Sequence, residues 1–249
     1  MRVFIIGVEG SGTTMLSRIL DGIPSFISLH GNYISDKAKH SKSTSDLVYE
    51  LIHLTNQLWD TSGEINEYRD AQTKIPILLE SLESEVNKLG DYDKFIYKRS
   101  SPFMKGNRYI PDPLDVYQLF GEKTKIIVMH RDPKESSYSA LRRGFLKDIK
   151  HCAVTCHINL SLLSSLVPSL NSPLVINYNK FCKSPLDFHE ILADYLDVSE
   201  SSVRKSFEEE NVKSRGTDKY KTEMSKEQLE FLNKYFNEKR MSTYKFTNK

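Results

Sequence analysis

The sequence predicts an α/β fold, one three-layer domain over residues 1–249 with a mostly parallel central sheet and helices on both faces. Three observations carry this expectation. Short, unbroken apolar runs recur at residues 3–6, 125–130 and 173–178, as strands buried on both faces of a parallel sheet require. Segments with helical apolar spacing separate them, which is the pattern of β-α-β units. A glycine-rich turn, "GVEGSGTT" at residues 7–14, joins the first strand to the first helix.

Taken in order, residues 3–6 form the first strand, and Met15, Leu16, Ile19 and Leu20 repeat at helical spacing behind the glycine turn. Leu47, Leu51, Leu54 and Leu58 share one helical face; Leu79, Leu82, Val86 and Leu89 share another, with Gly90 as the expected C-cap. "KFIYK" (94–98) reads as a strand and "DPLDVYQLFG" (112–121) as a short helix. "KIIVMH" (125–130) is a buried strand leading into "RDP", where Pro133 suits the first position of a helix. "PLVINY" (173–178) is the third such strand. Ser225 and Gln228 fit a capping box before Leu229, Leu232 and Phe236. The polar, basic stretches at 35–46 and 213–225 read as loops.

Composition narrows the function. Lys and Arg total 35 against 33 Asp and Glu, a formal net charge of +2, so general attraction to nucleic acid or an anionic membrane is not expected. Basic groups gathered in a cleft for a small anionic ligand remain compatible with it. The apolar run after Met1 and Arg2 is too short for a signal peptide, and no segment is expected to span a membrane. Three cysteines, an odd number, give no disulfide framework, and the cytoplasm is the expected compartment.

The glycine turn has the G-x-x-x-x-G spacing of a phosphate-binding loop, followed by two hydroxyl residues. In nucleotide triphosphatases a lysine follows the second glycine and reaches the β and γ phosphates. Here that position is Thr13, which argues against a magnesium-bound triphosphate. An anion is still favoured, because N–H groups from Ser11 to Thr14 are expected at the positive end of a helix dipole, with hydroxyls of Ser11, Thr13 and Thr14 beside them. In "VMHRDPKESSYSAL" (128–141), Arg131 ends a buried strand and Ser139 follows eight residues on, inside the next helix.

These two motifs together resemble the PAPS-dependent sulfotransferase family, whose donor is 3′-phosphoadenosine 5′-phosphosulfate. The resemblance implies that the loop Gly10, Ser11, Gly12, Thr13 and Thr14 grips the 5′-phosphosulfate, and that Arg131 and Ser139 grip the ribose 3′-phosphate. "VINYNKF" (175–181) is similar to a strand-end segment that would set Tyr178 near the adenosine. "KSRGTDKYK" (213–221) resembles a basic loop that covers the nucleotide, with Arg215 as its cation. Residues about 35–90, which match none of these motifs, are the expected acceptor side.

Sulfuryl transfer needs alignment, a positive group at the leaving phosphate oxygen and a base for the acceptor proton. Family members carry lysine or arginine just before "S-G-T-T", where this chain has Gly10. "YKRSSP" (97–102) resembles the strand-end "K-x-H-x-P" of the family, which makes Lys98 the first choice of substitute cation and Arg99, on the other side of the strand, the second, and Gly10→Arg is expected to be tolerated. The histidine of that motif is replaced by Ser100. His30, in "SLHGNY" (28–33), lies within one position of the glutamate that tyrosylprotein enzymes use, and an imidazole with a pKa of ~6.5 suits a base at neutral pH.

The resemblance implies transfer of a sulfuryl group from PAPS to a hydroxyl, in preference to an amine, of a small molecule, glycan or peptide, releasing adenosine 3′,5′-bisphosphate without a metal. Two alternatives are a P-loop kinase of a nucleotide or small metabolite, and a relative that binds nucleotide but has lost catalysis. "HCAVTCH" (151–157) has the look of a metal cluster. However, Cys152 and Cys156 share a helical face that His151 and His157 do not, so buried cysteines are the expected reading.

Overall fold

The computed structural model describes residues 1–30, 33–36, 42–59, 65–101, 119–121, 123–210 and 219–239. Its strands are β1 (Arg2–Val8), β2 (Phe26–His30), β3 (Tyr33–Ile34), β4 (Lys94–Ser101), β5 (Lys125–His130) and β6 (Leu174–Asn177). They form one sheet in the order β3-β2-β4-β1-β5-β6. β2 runs parallel to β4 and β5 parallel to β6, while the short β3 folds back antiparallel on β2. The helices are α1 (Thr13–Asp21), α2 (Lys42–Trp59), α3 (Ile65–Asn87), α4 (Pro133–Arg142), α5 (Ile149–Leu166), α6 (Tyr178–Lys183), α7 (His189–Leu196), α8 (Glu200–Glu209), α9 (Lys219–Glu223) and α10 (Lys226–Glu238).

The α/β class follows from burial. Val3, Phe4, Ile5, Ile6 and Val8 of β1 are all buried, as are Ile126 to Met129 of β5. Consecutive strand residues point to opposite faces, so both faces of these strands are covered, and each such side chain contributes about 1.5–3 kcal/mol. From β1 the chain moves past the place of β4 to β2; from β5 it moves outward to β6. The carboxyl ends of β1 and β5 are thus neighbours from which the chain departs in opposite directions, the place where open α/β sheets hold ligands.

The residues cluster into two compact units. The first contains Met1–Ile5 and Thr14–Arg99, and Arg2 anchors it: Nε donates to Glu83 at 2.7 Å and Nη1 to the Phe120 carbonyl at 2.8 Å. The Tyr97 hydroxyl, fully buried, donates to the same Glu83 carboxylate at 2.9 Å. In this unit Ser28, buried in β2, is satisfied by Ser17 and Asp21 of α1; its N–H donates to Asp21 Oδ1 at 2.8 Å. The second unit contains Ile6–Thr13 and the chain from Ile127 onward. There Asp132 caps α4 by accepting from the N–H groups of Lys134 and Glu135, with Pro133 in the first turn. The capping box of Ser225 and Gln228 opens α10 as the sequence indicates.

Several expectations are corrected. β6 ends at Asn177, and Tyr178 opens α6, because the Asn177 side chain accepts from the Lys180 N–H and turns the strand into a helix. α3 ends at Asn87, and Gly90 is absent from the left-handed residues, so it makes no αL cap. Helix replaces loop at residues 42–46 and 219–223. Most of the short helix expected at 112–121 lies outside the described residues. Finally, Ile149–Ser169 is long and apolar enough, by length and composition, to cross a membrane. Its buried residues Cys152, Cys156, Leu160, Leu163 and Leu166 form one stripe at helical spacing, as a core helix packed against α4 and α10 does.

Candidate active site

Within the second unit, the glycine turn is shaped by two residues in the left-handed region, Gly10 at φ +80° and Gly12 at φ +88°. Their freedom from a Cβ is used twice. A Cβ on Gly12 would lie 2.2 Å from the ring of Tyr178, and one on Gly10 would lie 2.8 Å from the Ser139 hydroxyl. The turn is therefore pressed against α6 on one side and α4 on the other. Ser11 closes it by donating its N–H to the Val8 carbonyl at 3.0 Å, so that N–H is committed and does not face an anion as expected from sequence. The Ser11 hydroxyl is fully buried with no partner among the described residues.

Arg131, directly after β5, bridges these parts. Its Nη1 donates to the Gly10 carbonyl at 2.7 Å and its Nε to Glu135 Oε2 at 2.8 Å. The guanidinium lies over the Tyr178 ring at 4.6 Å, a cation–π contact. Gly10, Ser11, Gly12, Thr13, Arg131, Ser139 and Tyr178 are thus all placed in one unit at the end of β1 and β5. An orphaned buried hydroxyl on the glycine turn and a half-buried guanidinium bonded to it fit a phosphorylated anion.

Within the first unit, Lys98 is 9% exposed and donates through Nζ to Thr14 Oγ1 at 3.0 Å, which sets a cation at the start of α1. β2 and β4 pair with Phe26 opposite Lys94 and Ser28 opposite Ile96. The His30 side chain, two residues beyond the last of these pairs, lies outside the described residues. Arg215 does so as well.

Two residues of this neighbourhood escape the sequence reading. Glu135, 1% exposed, stands one helical turn after Arg131, and that i, i+4 spacing was the available signal. Asn179 bonds Glu135 and accepts from the Asp132 N–H at 3.4 Å, and only its proximity to Tyr178 in sequence pointed to it. His130 is held neutral: burial, then the charge of Lys180, pushes its pKa down to about 4. Burial pushes the Cys152 thiol up to about 11 and the Cys156 thiol up to about 12, while His151 on the same helix is exposed and bonds Asp148. Among the described residues no group of three or more His, Cys, Asp or Glu is placed to hold a metal ion.

Residues 2–166 match the model of the sulfotransferase family, and the chain belongs to that family. Sequence comparison with curated proteins returns no match. Two solved structures share the fold. The sulfotransferase domain of the olefin synthase from Synechococcus PCC 7002 is 16% identical with a TM-score of 0.52, over 90% of this chain and 84% of that one. Sulfotransferase STF9 from Mycobacterium avium is 13% identical with a TM-score of 0.56, over 97% of this chain and 76% of that one. Family and fold together support a sulfotransferase.

Proposed function

We propose that this protein transfers the sulfuryl group of PAPS to a hydroxyl of a small molecule, glycan or peptide. The observation that carries this reading is the Arg131–Gly10 bond of 2.7 Å, which ties the guanidinium after β5 to the glycine turn after β1. In this reading Ser11, Gly12, Thr13 and Thr14 hold the 5′-phosphosulfate, Arg131 and Ser139 the 3′-phosphate, and Tyr178 and Arg215 the nucleoside side. The S–O bond to the phosphate breaks as a bond to the acceptor oxygen forms, and adenosine 3′,5′-bisphosphate leaves. Lys98 stabilises charge on the departing phosphate oxygen, and His30 takes the acceptor proton. The chain acts as one domain, with residues about 35–90 on the acceptor side and about 213–225 over the nucleotide. Cys152, Cys156 and Cys182 are buried and in no disulfide, which is compatible with the reducing, cytoplasmic setting proposed here.

Calorimetric titration with adenosine 3′,5′-bisphosphate, adenosine 5′-phosphate and magnesium-ATP tests the donor assignment. Tight binding that needs the 3′-phosphate and weakens in Arg131→Ala is the expected result; a preference for magnesium-ATP overturns it in favour of a kinase. A radiolabelled sulfate-transfer screen across alcohols, glycans and peptides then identifies the acceptor.

A further inference from the structure

The Arg131 guanidinium is a planar fork, so fixing two of its nitrogens fixes the direction of the third. Glu135 takes Nε at 2.8 Å and the Gly10 carbonyl takes Nη1 at 2.7 Å, while Tyr178 supports the face. Nη2 has no partner among the described residues. Glu135 is itself braced, since its carboxyl bonds Asn179. Burying a carboxylate is costly, and an apolar side chain of similar volume would fill the space under α4 more cheaply. The carboxylate therefore serves orientation better than it serves stability.

We infer that Glu135 is a positioning residue for nucleotide selection: it holds the Arg131 fork so that Nη2 is presented to a phosphate on the ribose 3′ carbon. This rests on the nucleotide reading of the site given above. Neither Arg131 nor Ser139 alone would define the direction of that donor. Glu135 sets the preference for a 3′-phosphorylated nucleotide without touching the nucleotide.

The readout is the ratio of affinities for adenosine 3′,5′-bisphosphate and adenosine 5′-phosphate, measured by calorimetry. Glu135→Ala is expected to lower that ratio about tenfold while affinity for adenosine 5′-phosphate changes by less than about twofold. Glu135→Gln keeps an acceptor for Nε and is expected to hold the ratio within about threefold of the native protein. In an Arg131→Ala background, Glu135→Ala should have no further effect on the ratio, because the two act as one unit. Should the alanine variant fail to fold, Glu135→Met fills the same volume without an acceptor and replaces it. A native ratio near one overturns the nucleotide reading itself. A large native ratio that Glu135→Ala or Glu135→Met leaves intact, or a loss shared equally by both ligands, overturns the role of Glu135 alone.

Discussion

Gly10 faces Ser139 so closely that a Cβ built on it would stand 2.8 Å from the serine hydroxyl and 2.9 Å from its Cβ. Gly10 also has φ +80°. Its identity is thus fixed by the approach of α4 and by backbone conformation, and it is not merely a cation lost from the loop. The expected tolerance of Gly10→Arg is corrected accordingly. Gly10→Ala should lower stability by roughly 1–3 kcal/mol, with Gly10→Arg costing at least as much, and both should weaken binding of adenosine 3′,5′-bisphosphate. Denaturant unfolding and calorimetry check this; a fully stable Gly10→Arg that binds normally would refute the packing argument.

Lys98 donates through Nζ to Thr14 Oγ1 at 3.0 Å, and the proposed function makes it the cation at the leaving phosphate oxygen. Lys98→Ala should lower the transfer rate by about 10²–10³ while nucleotide affinity falls only modestly. His30→Ala should lower the rate by about 10²–10⁴, with nucleotide affinity retained. Steady-state rates alongside equilibrium titrations separate the two effects, and a Lys98→Ala enzyme with native turnover would end the assignment.

The carboxylate of Glu83 gathers Arg2 at 2.7 Å and the buried hydroxyl of Tyr97 at 2.9 Å, which ties α3 to β1 and β4 within the first unit. Glu83→Ala removes the acceptor of both Arg2 Nε and the Tyr97 hydroxyl, leaving Arg2 only its bond to the Phe120 carbonyl, and should cost roughly 2–4 kcal/mol, whereas Tyr97→Phe removes one bond and should cost about 1 kcal/mol. Urea midpoints measure both. Equal losses in the two variants would contradict a network centred on Glu83.

His130 carries a prediction for pH. Its folded pKa is pushed down to about 4 from the usual 6.5, so between those values the unfolded chain binds a proton that the folded protein refuses. Stability should therefore fall as pH drops from about 6.5 towards 4 and lose nothing more to this group below that. His130→Gln should flatten this part of a melting-temperature profile. An unchanged slope in the variant would show that other groups carry the acid sensitivity.

Local patterns were readable because local chemistry produces them. The unbroken apolar runs of β1 and β5, the Asp132–Pro133 helix start and the Ser225–Gln228 capping box all depend on neighbours in sequence. β2 is not legible in the sequence, since Ser28 interrupts its apolar run, and that serine becomes acceptable in the core only through Ser17 and Asp21 of α1. Tyr178 continues the apolar run of β6 in sequence, and the strand ends before it only through a side-chain bond of Asn177.

The sequence by itself determined the α/β class, the glycine turn and the spacing of Arg131 and Ser139, since each is a short-range pattern of apolar, glycine and polar residues. Only the tertiary structure decided what those residues meet. Gly10 lies against Ser139, Gly12 against Tyr178, and Arg131 between Glu135 and the Gly10 carbonyl. The physical reason is that the contacts of the glycine turn with Ser139, Tyr178 and Arg131 join residues more than a hundred positions apart, and the strand order that brings β1 beside β5 is set by the burial of both strands' faces together.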